Sequence, residues 1–249
     1  MRQFLCISLI LPLLACAGGQ KPPAVPPPEA PTATAVPSPT AAPSAPISAG
    51  QLSGGWGRTI RNGVAGREGF LLDADFRFAL VGIFSMDGVA WTLEGDTLIL
   101  STSTERYPDE QESRLHIDEL TPTHLILSGK DYLAGSWQRS DLKNVTGTVT
   151  YRQRIALTPE AVVQVELRDV SRQDAEAPLL ARRLIRKPGQ VPVAFTLDYD
   201  PSLIEKGHAY AVSARISDRG QLQFVTDTRV PVLTSTAPTP VEIAVVPVR

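Results

Sequence analysis

The chain has 249 residues, 43% of them hydrophobic and 6% aromatic, with 24 basic and 26 acidic side chains, a net charge of −2 and two cysteines. That balance gives no case for nucleic acid as a partner, since no broad basic surface can be built from it. Two cysteines leave no room for a disulfide framework or a thiolate metal centre.

Arg2 opens a short positive segment, and Phe4 to Leu14 is an apolar run. The run is far short of the roughly 20 residues that span a bilayer, and fits the hydrophobic region of a signal peptide. It ends in Leu13, Leu14, Ala15 and Cys16, followed by Ala17, Gly18 and Gly19. This stretch resembles the lipobox of bacterial lipoproteins. The resemblance implies cleavage before Cys16, with residues 1–15 lost, and a diacylglycerol on the Cys16 thiol. Several acyl chains anchor stably, at roughly 0.8 kcal/mol per buried CH₂. Ala17 stands where such lipoproteins carry Asp for inner-membrane retention, so the resemblance implies the outer membrane, with the folded part in the periplasm. Cys6 leaves with the signal peptide, so the mature chain has neither a free thiol nor a disulfide.

Residues 16–50 form the lipidated cysteine and a stalk. Lys21 to Gly50 is mostly Pro, Ala, Ser and Thr, without apolar periodicity. It reads as a semi-rigid polyproline-II tether reaching on the order of 90 Å if fully extended.

From Gln51 apolar and polar residues alternate between Gly and Asp clusters, the pattern of short strands and tight turns. A boundary near Ser140 separates residues 51–140 from residues 141–249. The first part, Gln51 to Arg139, holds 13 acidic and 8 basic residues; the second holds 12 and 14. Eight strands are expected in the first: Trp56 to Ile60, Gly69 to Leu72, Phe76 to Ile83, Val89 to Leu93, Thr97 to Ser101, Arg114 to Leu120, His124 to Leu127 and Leu133 to Gln138. Trp91 and Leu93 share a face, as do Leu98 and Leu100. Strands in hairpin order suggest a small up-and-down barrel or a strongly curved sheet. Gly54 to Trp56, Met86 to Trp91, Gly95 with Asp96, and Tyr132 to Trp137 resemble small lipocalin-like domains of bacterial lipoproteins. The cysteine-containing core motif of META-type domains is absent. A ligand cavity and a filled barrel both fit this pattern.

Chemistry is sparse here. His116 and His124 fall on neighbouring strands near Asp118 and Glu119, but a metal site needs three or four converging ligands, so no metal is expected. Glu105, Asp109, Glu110 and Glu112 read as a solvated loop or a weak cation site. No Gly-x-Ser-x-Gly elbow, P-loop or dinucleotide fingerprint occurs.

Seven strands are expected in the second part. They are Thr146 to Leu157, Val162 to Val170, Leu179 to Arg186, Val191 to Leu197, His208 to Ile216, Leu222 to Thr226 and Val241 to Val248. Asp198 to Gly207 is a connection with one helical turn. This spacing suggests an antiparallel β-sandwich. Arg152, Arg154, Arg168, Arg182, Arg183 and Arg186 form a basic set, facing either solvent or an acidic partner or lipid headgroups.

The stretches Gly147 to Arg152, Ile155 to Leu157, Val165 to Ser171, Pro188 to Pro192, Phe195, Tyr199 to Pro201, Tyr210 to Ile216 and Phe224 to Pro231 resemble the YbaY/YscW family of bacterial lipoproteins. The resemblance implies an Ig-like β-sandwich. In the type III secretion branch it also implies a pilot that helps secretin subunits reach and assemble in the outer membrane. This chain departs from that branch by adding a stalk and a barrel-like segment.

The fold class expected is therefore all-β: a small lipocalin-like up-and-down barrel followed by an Ig-like antiparallel sandwich. The function expected is a non-catalytic membrane-anchored adaptor, pilot or chaperone for an outer-membrane or secretin-type partner, with no cofactor. The alternative is carriage of a small apolar ligand in the barrel. An enzyme is not expected, because no nucleophile, base and orienting group recur together.

Overall fold

The computed structural model describes residues 46–60, 66–104, 109–172, 174–233 and 239–248. Ala45–Arg249 forms one compact unit. Within it, a single turn of helix, α1 (Ala49–Leu52), precedes eight strands: β1 (Gly54–Thr59), β2 (Arg67–Leu72), β3 (Phe78–Val81), β4 (Asp87–Glu94), β5 (Thr97–Ser103), β6 (Gln111–Leu120), β7 (His124–Ser128) and β8 (Gly135–Ser140). They form one antiparallel sheet in the order β3-β2-β1-β8-β7-β6-β5-β4. Its two outer strands nearly close on each other through an Arg77–Ala90 bridge and the Trp91 amide donating to the Phe76 carbonyl at 3.0 Å. Alternation along each strand sends one face inward. Trp56, Phe70, Phe78, Trp91 and Trp137 fill that interior, each no more than 1% exposed. Phe70 packs edge-on against Trp137 at 4.7 Å.

A short sequence repeat fastens the sheet where its first and last strands meet. Leu52 to Arg58 and Leu133 to Arg139 both read Leu-x-Gly-x-Trp-x-Arg. Gly54 and Gly135 take φ of +120° and +122°, a region that disfavours side chains. The turns they make let each Trp indole donate back to its own Leu carbonyl, Trp56 to Leu52 at 2.8 Å and Trp137 to Leu133 at 2.9 Å. β1 and β8 run antiparallel with Trp56 opposite Arg139. Each arginine consequently lies over the other repeat's tryptophan, Arg139 on Trp56 and Arg58 on Trp137, both at 3.8 Å. The guanidinium of Arg58 donates to Tyr132 and Ala134 carbonyls, and that of Arg139 to Gln51 and Ser53 carbonyls, the same positions in the two repeats. Only Arg58 also has a buried carboxylate, Glu68, at 2.5 Å; Glu68 in turn accepts from the Tyr132 hydroxyl.

The second part is a two-sheet sandwich. Its strands are β9 (Lys143–Thr150), β10 (Ala161–Asp169), β11 (Leu179–Arg186), β12 (Val193–Tyr199), β13 (Tyr210–Asp218), β14 (Gln221–Val225), β15 (Val230–Val232), β16 (Val241–Ala244) and β17 (Val246–Pro247), with a 3₁₀ turn at Pro201–Leu203. One sheet runs β11-β10-β13-β14-β17 with β15 also on β13, and the other runs β12-β9-β16. Val149, Val163, Val165, Leu167, Leu197 and Ile243 meet between them, all 1% exposed or less.

Four details differ from the sequence expectation. The sandwich has one parallel pair, β9 with β16. The final run divides at buried Val245, whose amide donates to the Thr150 carbonyl, so β16 joins one sheet and β17 the other. β9 ends at Thr150, because Tyr151 turns inward to stack on Phe224 at 4.5 Å and its hydroxyl donates to the Ile155 carbonyl. β15 escaped notice because Pro231 sits in its centre; it is a short strand paired with β13 alone.

Replacing Arg58 by Ala leaves Glu68 buried without its cation, and should cost about 3–5 kcal/mol in urea unfolding. The Arg114–Glu94 pair, with side chains 57% and 63% exposed, is the control: Arg114→Ala should cost at most about 1 kcal/mol.

Candidate interaction site

Several charged residues of the sandwich meet the barrel. β12 ends in Asp198 and Tyr199, Asp200 follows it directly, and both carboxylates turn towards barrel arginines. Arg77, just before β3, donates to Asp198 at 2.6 Å and to Asp73 at 3.1 Å. Arg67, at the start of β2, donates to Asp200 at 2.8 Å. Asp200 also caps the 3₁₀ turn by accepting from the Ser202 amide at 2.9 Å. Burial by itself would lower the Arg77 pKa, but hydrogen bonds and attraction from Asp198 and Asp73 outweigh it and raise the value. Burial likewise pushes the Asp200 carboxyl up, while the bonds from Ser202 and Arg67 win and hold it below its ordinary range. Asp198 is the most enclosed of these groups, its side chain 4% exposed.

β11 supplies the second half of this contact. Arg183 donates to the Gly88 carbonyl at 3.0 Å, and Arg186 to the Thr104 carbonyl at 3.0 Å. Arg182 lies 3.7 Å from Asp87. Half of the predicted basic set therefore contacts the barrel of the same chain, Arg183 and Arg186 through backbone carbonyls and Arg182 beside a carboxylate. Arg168 is held by Glu166 at 2.8 Å and by the Ala177 carbonyl. Arg152 and Arg154 are exposed in the loop after β9.

The other candidates do not converge. His116 pairs across β6–β7 with Ser128, whereas His124 sits at the turn end of that hairpin, and both are exposed. Asp118 accepts from the Ser128 hydroxyl at 2.8 Å and lies 3.9 Å from His116. Among the described residues no group of three or more His, Cys, Asp or Glu side chains could hold a metal. Asp109, Glu110 and Glu112 are exposed; Glu105 lies outside the described residues, as does Cys16. The barrel interior is packed with aromatic and leucine side chains, so an apolar ligand there would have to displace them.

One cluster had no signal in the sequence reading. His208 approaches Asp169 at 2.6 Å and Glu205 at 3.4 Å, and Ser171 donates to Asp169 at 2.6 Å. It ties the 3₁₀ connection to the end of β10. Its members are 39 positions apart, and spacing alone does not reveal such a contact.

Residues 140–245 match the family described as "type III secretion system lipoprotein chaperone (YscW)". The uncharacterised lipoprotein YbaY of Escherichia coli K12 is 38% identical over 107 residues, covering 43% of this chain and 56% of that protein. This chain thus spans just over half the length of that relative. Among solved structures, an alternative pilotin of the Vibrio cholerae type II secretion system is 42% identical, covers 44% of this chain and 99% of its own, and has a TM-score of 0.42. A lipocalin-like protein of Bacteroides thetaiotaomicron is 17% identical, covers 36% of this chain and 97% of its own, and has a TM-score of 0.32. Residues 140–245, the sandwich, are thus similar to the YscW family and to YbaY. The barrel lies outside that match.

Two outcomes follow from these contacts. Arg77→Ala leaves the enclosed Asp198, its side chain 4% exposed, without that cation and should destabilise the chain by about 3 kcal/mol, with urea unfolding separating into a barrel and a sandwich transition. The His208 cluster sets a pH window. The bond to Asp169 raises His208, burial opposes this, and attraction to Asp169 and Glu205 adds to it. Burial would raise Asp169, but bonds from Ser171 and His208 lower it. The stabilisation is complete between the ordinary values of 3.8 and 6.5. It is lost as pH falls through the lowered Asp169 pKa, or rises through the raised His208 pKa. The stability difference between the parent and His208→Gln should therefore shrink above pH 6.5; a difference that widens there contradicts the assignment.

Proposed function

We propose that this protein is a non-catalytic adaptor or chaperone for envelope proteins. On this reading residues 1–15 are a signal peptide, Cys16 carries the lipid, and residues 16–50 hold two β-domains, 51–140 and 141–249, off the outer membrane on its periplasmic face. The observation that carries the reading is the family match of residues 140–245, to lipoproteins described as secretion chaperones. Chaperoning of this kind needs a surface rather than a reactive centre, which agrees with the dispersed polar groups described above. The partner class is an outer-membrane or secretin-type protein. Carriage of an apolar ligand inside the barrel loses its basis once that interior is filled by Trp56, Phe70, Phe78, Trp91 and Trp137.

Two measurements test this. A tagged chain pulled from detergent extracts should enrich one outer-membrane protein; recovery of none, with the bait intact, contradicts the adaptor role. Cys16→Ala should fractionate as a soluble protein with its β-sheet circular dichroism unchanged, and persistence in the membrane fraction contradicts the anchor.

A further inference from the structure

Between the sandwich and the barrel lies a cleft of about 700 Å³, outside both cores. Clefts of several hundred Å³ at the junction of two modules are the usual size and place of small-molecule sites. Val89 contributes from the barrel side, and Pro159, Val162, Leu184 and Ile185 from the sandwich, so the floor is apolar.

The charges around this floor are of both signs: Asp87, Asp109, Glu110 and Glu160 against Arg183, Arg186 and Lys187. Three cations come from one stretch at the end of β11: Arg183, Arg186 and Lys187. Arg183 and Arg186 are positioned by backbone carbonyls of the barrel, Gly88 and Thr104, and Arg186 also reaches the Ser103 hydroxyl at 3.5 Å. Among the described residues none of the three forms an ion pair within 4.0 Å. Burial lowers the Arg183 pKa, Arg77 lowers it further, and Asp198 and Asp87 oppose them only at a distance. An anion placed beside it would relieve that desolvation. The carboxylates of Asp109 and Glu110 also line the cleft, likewise without an ion pair among the described residues, and Glu160 stands 3.9 Å from Arg219.

Guanidinium groups and carboxylates without an ion pair among the described residues, beside apolar side chains in one cleft, are complementary to an amphiphilic zwitterion. We propose that the cleft binds a phosphoethanolamine headgroup with its attached acyl chains: the phosphate on Arg183 and Arg186, the ammonium on Asp109 and Glu110, and the first methylenes on Val162, Leu184 and Ile185. Arginine forks match phosphate oxygens with paired, charge-assisted hydrogen bonds. A primary ammonium can donate to the carboxylates, which a quaternary one cannot. The inference is independent of the adaptor reading, because it concerns a different ligand on a different surface.

The test uses the full chain with Cys16→Ala and dihexanoylphosphatidylethanolamine below its micelle concentration, followed by amide NMR titration and calorimetry. Saturable binding is expected, with shifts at Val162, Leu184 and Arg186. Free phosphoethanolamine should bind about tenfold more weakly for want of the methylenes. Dihexanoylphosphatidylglycerol, which lacks the ammonium, should also bind about tenfold more weakly and be indifferent to the double change Asp109→Asn, Glu110→Gln. Arg186→Gln should weaken the ethanolamine lipid about tenfold. Exposed Lys187→Gln gives a second reading, a smaller loss, in a variant whose fold is not at stake. Absence of saturation, equal affinity for the two lipids, or affinities untouched by both Arg186→Gln and Lys187→Gln would overturn the proposal.

Discussion

Two carboxylates at the end of one sandwich strand govern how this molecule is put together. Asp198 and Asp200 reach out of β12 to Arg77 and Arg67 of the barrel, at 2.6 and 2.8 Å. Exposed ion pairs contribute little to stability, but an enclosed pair behaves differently, since removing one partner strands the other in a place water cannot reach. Asp198 is such a case, and the backbone bonds from Arg183 and Arg186 extend the contact along β11. β11 is an outer strand of its sheet. The barrel lies beside it, and that is one of the ways by which proteins keep an unpaired edge from recruiting other chains.

The barrel itself rests on a different device. Its closing pair of strands is built from two copies of one heptapeptide pattern, and the stacked Trp and Arg side chains are exchanged between them. The exchange follows from antiparallel register: a residue two positions after the Trp on one strand comes level with the Trp of the other. Aromatic rings thereby fill the centre while their indole N–H groups and the neighbouring cations are all satisfied at the rim. A filled centre leaves the barrel as a shaped solid, which suits a spacer or docking surface better than a container.

Much of this was legible beforehand. Period-two alternation at Trp91, Leu93, Leu98 and Leu100, and at Val163, Val165 and Leu167, marks the inward faces in both sheets. Turn residues at Gly95 and Gly189 mark the ends of strands. The parallel β9–β16 pair was not legible, because pairing direction depends on where the chain re-enters the sheet and no local pattern encodes that. The arginines of β11 were visible as a basic set, but their targets were not. Gly88 and Thr104 present backbone carbonyls, which carry no side-chain signal, and they lie more than 80 positions away. The heptapeptide repeat was in plain view, and its two halves were noticed separately; only the register of β1 with β8 gives them a joint meaning.

Barrel and sandwich are joined through the Asp198 and Asp200 contacts. The sequence has two cysteines, Cys6 and Cys16, so spin labels can be introduced at will in a Cys6→Ala, Cys16→Ala background, one at exposed Glu119 and one at exposed Glu242. Double electron–electron resonance should give a single narrow distance distribution that broadens when Asp198 and Asp200 are both changed to Ala. A distribution already broad in the parent, or equally narrow without the two carboxylates, would contradict it.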